Sequence, residues 1–80
     1  MARYSNLNKH NYRQGYETAY EDYAWCKGNK DKIKECIDSR KRLLGLCRSR
    51  KDTNGISFQN GYLKYFSDRG CLWVMKNYKL

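Results

Sequence analysis

Ten of the chain's seventeen lysines and arginines crowd into residues 27–51: Lys27, Lys30, Lys32, Lys34, Arg40, Lys41, Arg42, Arg48, Arg50 and Lys51. Against them stand Asp31, Glu35 and Asp38, so this segment carries +7 of a net charge of +9. Residues 1–26 balance to zero, and residues 52–80 add +2. A local excess of this size favours a polyanionic partner. Nucleic acid and an acidic protein surface are the two chemistries that fit.

Helical spacing gives these cations a geometry. With Ile33 at 0°, the positions of Lys30, Lys34, Lys41 and Arg48 fall between about 60° and 100°. Asp31, Glu35 and Asp38 fall behind them, between about 140° and 200°. Lys34, Lys41 and Arg48 are seven residues apart, about 10.5 Å along a helix axis. Such a rail can follow a phosphate backbone without reading bases. Arg40, Arg42, Arg50 and Lys51 support it. The competing reading is a solvated flank that covers the core edge with lysine stems and uses the pairs Asp31/Lys34 and Asp38/Arg42. Arg40 falls on the apolar side, so it must either snorkel or meet an anion. Arg48, Arg50 and Lys51 also suit the negative end of a helix dipole.

Trp25 is the candidate stacking residue or partner anchor, since it falls off the apolar stripe of its own helix. Its alternative is burial under the C-terminal segment. Cations interleaved with aromatics are the ingredients of single-strand binders, which favours RNA. The linker from Lys51 to Ser57 is longer than a helix-turn-helix connection, which disfavours sequence-specific duplex reading.

Catalytic ingredients are sparse. His10 is the sole histidine and falls toward a polar side. No Gly-rich phosphate loop occurs. Cys26, Cys36, Cys47 and Cys71 lack the close pairing of zinc ligands, which predicts free core thiols, no metal and no cofactor. The expectation is a protein that is not an enzyme.

The elements that must position these residues follow from periodicity. Tyr12, Tyr16, Ala19, Tyr23 and Cys26 recur at spacings of 3 and 4 and predict a first helix over about residues 8–26, capped by Asn6 or Asn8. Lys27-Gly28-Asn29 stops it. Asn29 or Asp31 caps a second, long helix that runs to about Arg50. Its stripe is Ile33, Cys36, Ile37, Arg40, Leu43, Leu44 and Cys47, with Gly45 off its densest part. Asp52-Thr53-Asn54-Gly55 reads as a turn or loop. Ser57 caps a short third helix that ends at Asp68-Arg69-Gly70. Cys71-Leu72-Trp73-Val74-Met75 is an apolar run suited to an extended arm or to pairing with a second subunit.

Residues 12–20, YRQGYETAY, and 58–66, FQNGYLKYF, both fit aromatic-x-x-Gly-Tyr-x-x-(Ala/Tyr)-aromatic, 46 residues apart. A helix-interior glycine costs about 1 kcal/mol relative to alanine, so each must permit something that a side chain would block. The expectation is that helices 1 and 3 meet each other, or a subunit mate, at Gly15 and Gly61. Tyr16, Tyr62 and Trp73 complete the expected interface. Two short helical segments with Gly-aromatic pairs in a small basic chain resemble ribosome modulation factor over Tyr12–Tyr20 and Phe58–Asp68. The spacer differs, and this proline-free chain lacks that family's Cys-Pro-Tyr element. The resemblance implies docking on a ribosome and assigns no residue role.

These readings converge on a single basic domain over residues 1–80. It is all-α, with three helices and a short extended C-terminal segment, and it is expected to dimerise because so short a chain buries a small core. Eight Tyr, two Trp and two Phe set it apart from disordered chains. No segment approaches the ~20 apolar residues of a membrane span. Met1–Asn6 lacks the apolar stretch of a secretory signal, which predicts a cytoplasmic protein without a membrane partner. An Asn-, Lys- and Tyr-rich composition suits an AT-rich genome such as a phage's. The expected function is an accessory protein of a phage or bacterium. It would bind RNA through the basic helix and modulate a host nucleic-acid machine: a ribosome, an RNase toxin or a defence nuclease. The alternative is an inhibitor that docks on an acidic surface of a host protein without nucleic acid.

Overall fold

A computed structural model describes residues 9–71 as three helices: α1 (Lys9–Cys26), α2 (Lys30–Ser49) and α3 (Thr53–Asp68). The fold is an all-α three-helix domain. The expected caps at Asn6 and Asn8, the arm Leu72–Met75 and Trp73 lie outside the described residues.

The turns follow local chemistry. Lys27 and Gly28 both adopt the left-handed conformation, with φ of 50° and 78°, and reverse the chain after α1. The Asn29 side chain accepts from the Lys32 amide at 3.1 Å and opens α2. Asp31 and Arg48 occupy the first and last turns of α2, each matching the helix dipole in sign. Helix α3 starts earlier than its periodicity predicts. Asp52, rather than Ser57, is its N-cap, and its carboxylate accepts from the Gly55 amide at 3.0 Å. Asp-Thr-Asn-Gly is therefore a cap and first turn, not a loop, because an aspartate that ends a turn is equally able to begin a helix. Ser57 is buried within α3.

Helix α3 forms the centre. Its buried residues, Ser57, Gln59, Gly61, Tyr62, Leu63, Tyr65 and Phe66, span about 240° of its circumference. It packs most extensively on α1 and next on α2, while α1 and α2 touch least. The core adds Ala19 and Cys26 from α1, Ile33, Ile37 and Leu44 from α2, and Cys71. Tyr62 and Phe66 stack with ring centroids 5.3 Å apart, and Tyr65 makes edge-to-face contacts with Tyr16, Tyr20 and Tyr23.

Helices α1 and α3 run parallel and cross at their glycines within one chain. A Cβ on Gly15 would collide with the Phe58 carbonyl, and a Cβ on Gly61 would collide with the Tyr12 carbonyl. The 46-residue shift that relates the two sequence motifs exchanges these contacts. Gly15 becomes Gly61, and Tyr12 becomes Phe58. The crossing is thus a pseudo-two-fold pairing of one motif with its own copy, and neither glycine is left for a subunit mate.

Gly45 differs from both, since a Cβ there would stand in open space. In urea titrations, Gly15→Ala and Gly61→Ala are each expected to lose about 2 kcal/mol through overpacking against backbone. Gly45→Ala should gain about 1 kcal/mol from helix propensity.

Candidate polyanion-binding surface

The cations of residues 27–51 divide by environment. Lys27, Lys30, Lys32, Lys34, Arg42, Arg48, Arg50 and Lys51 are exposed. Lys41 and Arg40 are not. Lys41 is 8 % exposed, and burial holds its ammonium below the usual lysine range. It therefore does not stand on a solvent rail between Lys34 and Arg48. Helix α2 packs chiefly on α3 alone, so its buried face is Ile33, Ile37, Lys41 and Leu44. That face is rotated toward Lys41 and away from Leu43, which is 38 % exposed. Leu46 is 51 % exposed beside it.

The half-buried Arg40 guanidinium lies over the Tyr62 ring at 4.4 Å and near Phe58 at 5.5 Å. It serves the α2–α3 seam through cation–π contact. Lys34 pairs with Asp38 at 2.8 Å, an i, i+4 contact on this helix. The exposed cations that remain gather at two ends. One end holds Lys27, Lys30 and Lys32 around the α1–α2 turn. The other holds Arg42, Arg48, Arg50 and Lys51 toward the α2–α3 turn.

Trp25 belongs to the first end. It is 62 % exposed, and Lys32 Nζ lies 4.4 Å from its ring centroid. The ring's partner is Lys32, not its near neighbour Lys27. His10 is exposed at the start of α1, where it lines an open cleft of about 290 Å³ with Lys9 and Arg13. Among the described residues, no three His, Cys, Asp or Glu side chains gather into a metal-binding group. No helix there is long and apolar enough to cross a membrane.

The connection between α2 and α3 is three residues long, so its length does not set a helix-turn-helix aside. Burial does. Helix α3 spends most of its circumference in the core and carries Lys64 as its one basic residue.

Behind this surface, Tyr16 and Tyr62 hold the helices together. Tyr16 Oη donates to Asp68 at 2.8 Å, and Tyr62 Oη donates to Asp22 at 2.5 Å. The 46-residue shift exchanges these bonds as well, so the repeated motif extends to the aspartate. The aspartates lie two residues beyond the last aromatic of each copy, Asp22 after Tyr20 and Asp68 after Phe66, and this equal offset is the sequence signal for the extension. The two locks differ in setting. Tyr16–Asp68 is exposed, and its hydrogen bond lowers the Asp68 pKa, with help from Lys64. Tyr62 is buried, and desolvation, then the Asp22 bond, raises its phenol above the usual range.

Neither a protein-family model, nor a curated protein, nor a solved structure matches the chain.

The buried lock sets an alkaline limit. Folded Tyr62 keeps a proton that the unfolded chain releases near its ordinary pKa of 10.0. Its contribution is complete below that pH and is lost as pH rises above it. Tyr62→Phe should flatten this loss in pH-resolved urea titrations. At pH 7 it should cost about 1–3 kcal/mol, because Asp22 loses its donor in a partly buried site. Tyr16→Phe, at the exposed lock, should cost less.

Proposed function

We propose that this protein is a small non-enzymatic accessory protein that binds RNA through the exposed cations of α2 and its two flanking turns. One observation carries the reading: eight of the ten cations in residues 27–51 are exposed, against three carboxylates, one of which is engaged by Lys34. Phosphate contacts of this kind supply affinity without base sequence. Trp25 adds a ring on which a base can stack, and the Lys9–His10–Arg13 cleft adds further positive surface. The setting that suits the composition is the cytoplasm of a bacterial host. There a phage or bacterial regulator would act on a ribosome, an RNase toxin or a defence nuclease.

Anisotropy of a labelled single-stranded RNA, titrated across salt concentrations, tests this. Affinity should fall steeply with salt. Arg42→Ala/Arg48→Ala/Arg50→Ala should lower the log–log salt slope by about 2, at about 0.7 per contact on a single strand. These side chains are exposed, so far-ultraviolet circular dichroism should not change. An unchanged slope, or no binding at low salt, overturns the proposal.

The exposed Leu43 and Leu46 favour a second reading. Three residues apart, they share a face flanked by Arg42 and Arg50. Apolar groups rimmed by arginine suit an acidic protein surface, so the alternative is an inhibitor that docks on a host protein without nucleic acid. Leu46→Gln, which adds no charge beside Arg42 and Arg50, should abolish such docking and leave RNA affinity nearly unchanged. A homodimer belongs to either reading. Its support is the small core of a short chain and the apolar Leu72–Met75 run, and sedimentation equilibrium is its measurement.

A further inference from the structure

We propose that Cys26 and Cys36 are a paired oxidation site at which a peroxide closes a disulfide between α1 and α2. The two Sγ atoms lie 4.0 Å apart, and both cysteines are free thiols. Cys26 is the last residue of α1, and Cys36 lies in the second turn of α2. The intervening turn is tightly specified by the left-handed Lys27 and Gly28 and by the Asn29 cap, so the two sulfurs are held face to face.

Their environments give them different parts. Cys26 is 1 % exposed, and burial, then the neighbouring Cys36, pushes its thiol up to about 11. Cys36 is half-buried, the less buried of the two residues, and is therefore the one assigned to meet the oxidant first. The sequence of steps balances. The Cys36 thiol takes one oxygen from hydrogen peroxide to give the sulfenic acid and one water. Cys26 sulfur then attacks Cys36 sulfur. The S–S bond forms as the S–O bond breaks, and the leaving hydroxyl departs as a second water with the Cys26 proton.

Cys47 stands eleven residues further along α2, about 16 Å away, beside Gly55 and Asp52. The bond would tie the two helices that touch each other least. It would also take the thiol away from the Tyr62 hydroxyl, where Cys36 lies alongside Asp22.

The test treats the reduced full-length protein with hydrogen peroxide under native conditions, alkylates the remaining thiols and maps non-reduced tryptic peptides. The expected product is one cross-linked pair, Gln14–Lys27 joined to Glu35–Arg40, with the loss of two hydrogens from the intact mass. Dithiothreitol should reverse it. The oxidised protein should unfold at higher urea concentration, because the cross-link restricts the denatured chain. The proposal is overturned if Cys36 stops at a sulfenic or sulfinic acid. Linkage to Cys47, Cys71 or another chain overturns it, as does no oxidation at all. A cross-link that forms only in urea also overturns it, since the folded state would then not be bringing the sulfurs together. Cys36→Ser supplies a second check: under the same treatment its Cys26 should remain a free, alkylatable thiol.

Discussion

Two helix backbones approach within side-chain distance where α1 crosses α3, and this contact sets the geometry of the rest. Gly15 leaves space for the Phe58 carbonyl, and Gly61 leaves space for the Tyr12 carbonyl, where any Cβ would collide. The cost of two glycines in helix interiors is offset by what the close approach permits. Tyr16 and Tyr62 flank the crossing and reach across it, each donating to an aspartate on the other helix. The parallel direction of α1 and α3 then obliges α2 to run back between their ends, with a tight turn at each end.

The pairing is symmetric in design and asymmetric in use. One lock, Tyr62–Asp22, is buried beside Phe66 and Cys36, whereas its counterpart, Tyr16–Asp68, faces water. Ala19 and Tyr65 occupy equivalent positions in the two copies. The small residue on α1 leaves room for the large one on α3, and three tyrosines of α1 meet it edge-to-face. The central helix is therefore α3, although α2 is the longest. Because α2 leans mainly on α3, one flank of α2 stays open to solvent. That flank carries the exposed leucines, and exposed cations lie at both ends of the helix.

Much of this was legible from residue order. The end of α1 and both limits of α2 followed from apolar period and from Gly28 and Asn29, whose conformational preferences act locally. The glycine motif was visible as a repeat, and the steric argument for a close approach needed nothing else. The start of α3 was not legible, because Asp52 serves turns and caps equally well. The cation rail was legible only in part. Helical angles placed Lys41 beside Lys30 and Arg48, yet a few tens of degrees of rotation toward α3 carried Lys41 inward and Leu43 outward.

Residue order alone was enough for the end of α1, both ends of α2, the location of positive charge along the chain and the two matching glycine–tyrosine segments, since each is read from residues a few positions apart. The tertiary structure decided which copy of the motif each glycine meets, which of the two tyrosine locks is buried, and which cations face water. It also brought Cys26 to Cys36, a contact that no C-x-x-C spacing announces. The physical reason is range. Backbone preference and periodicity act within one helix, whereas the rotation of a helix about its axis depends on what its neighbours can pack against.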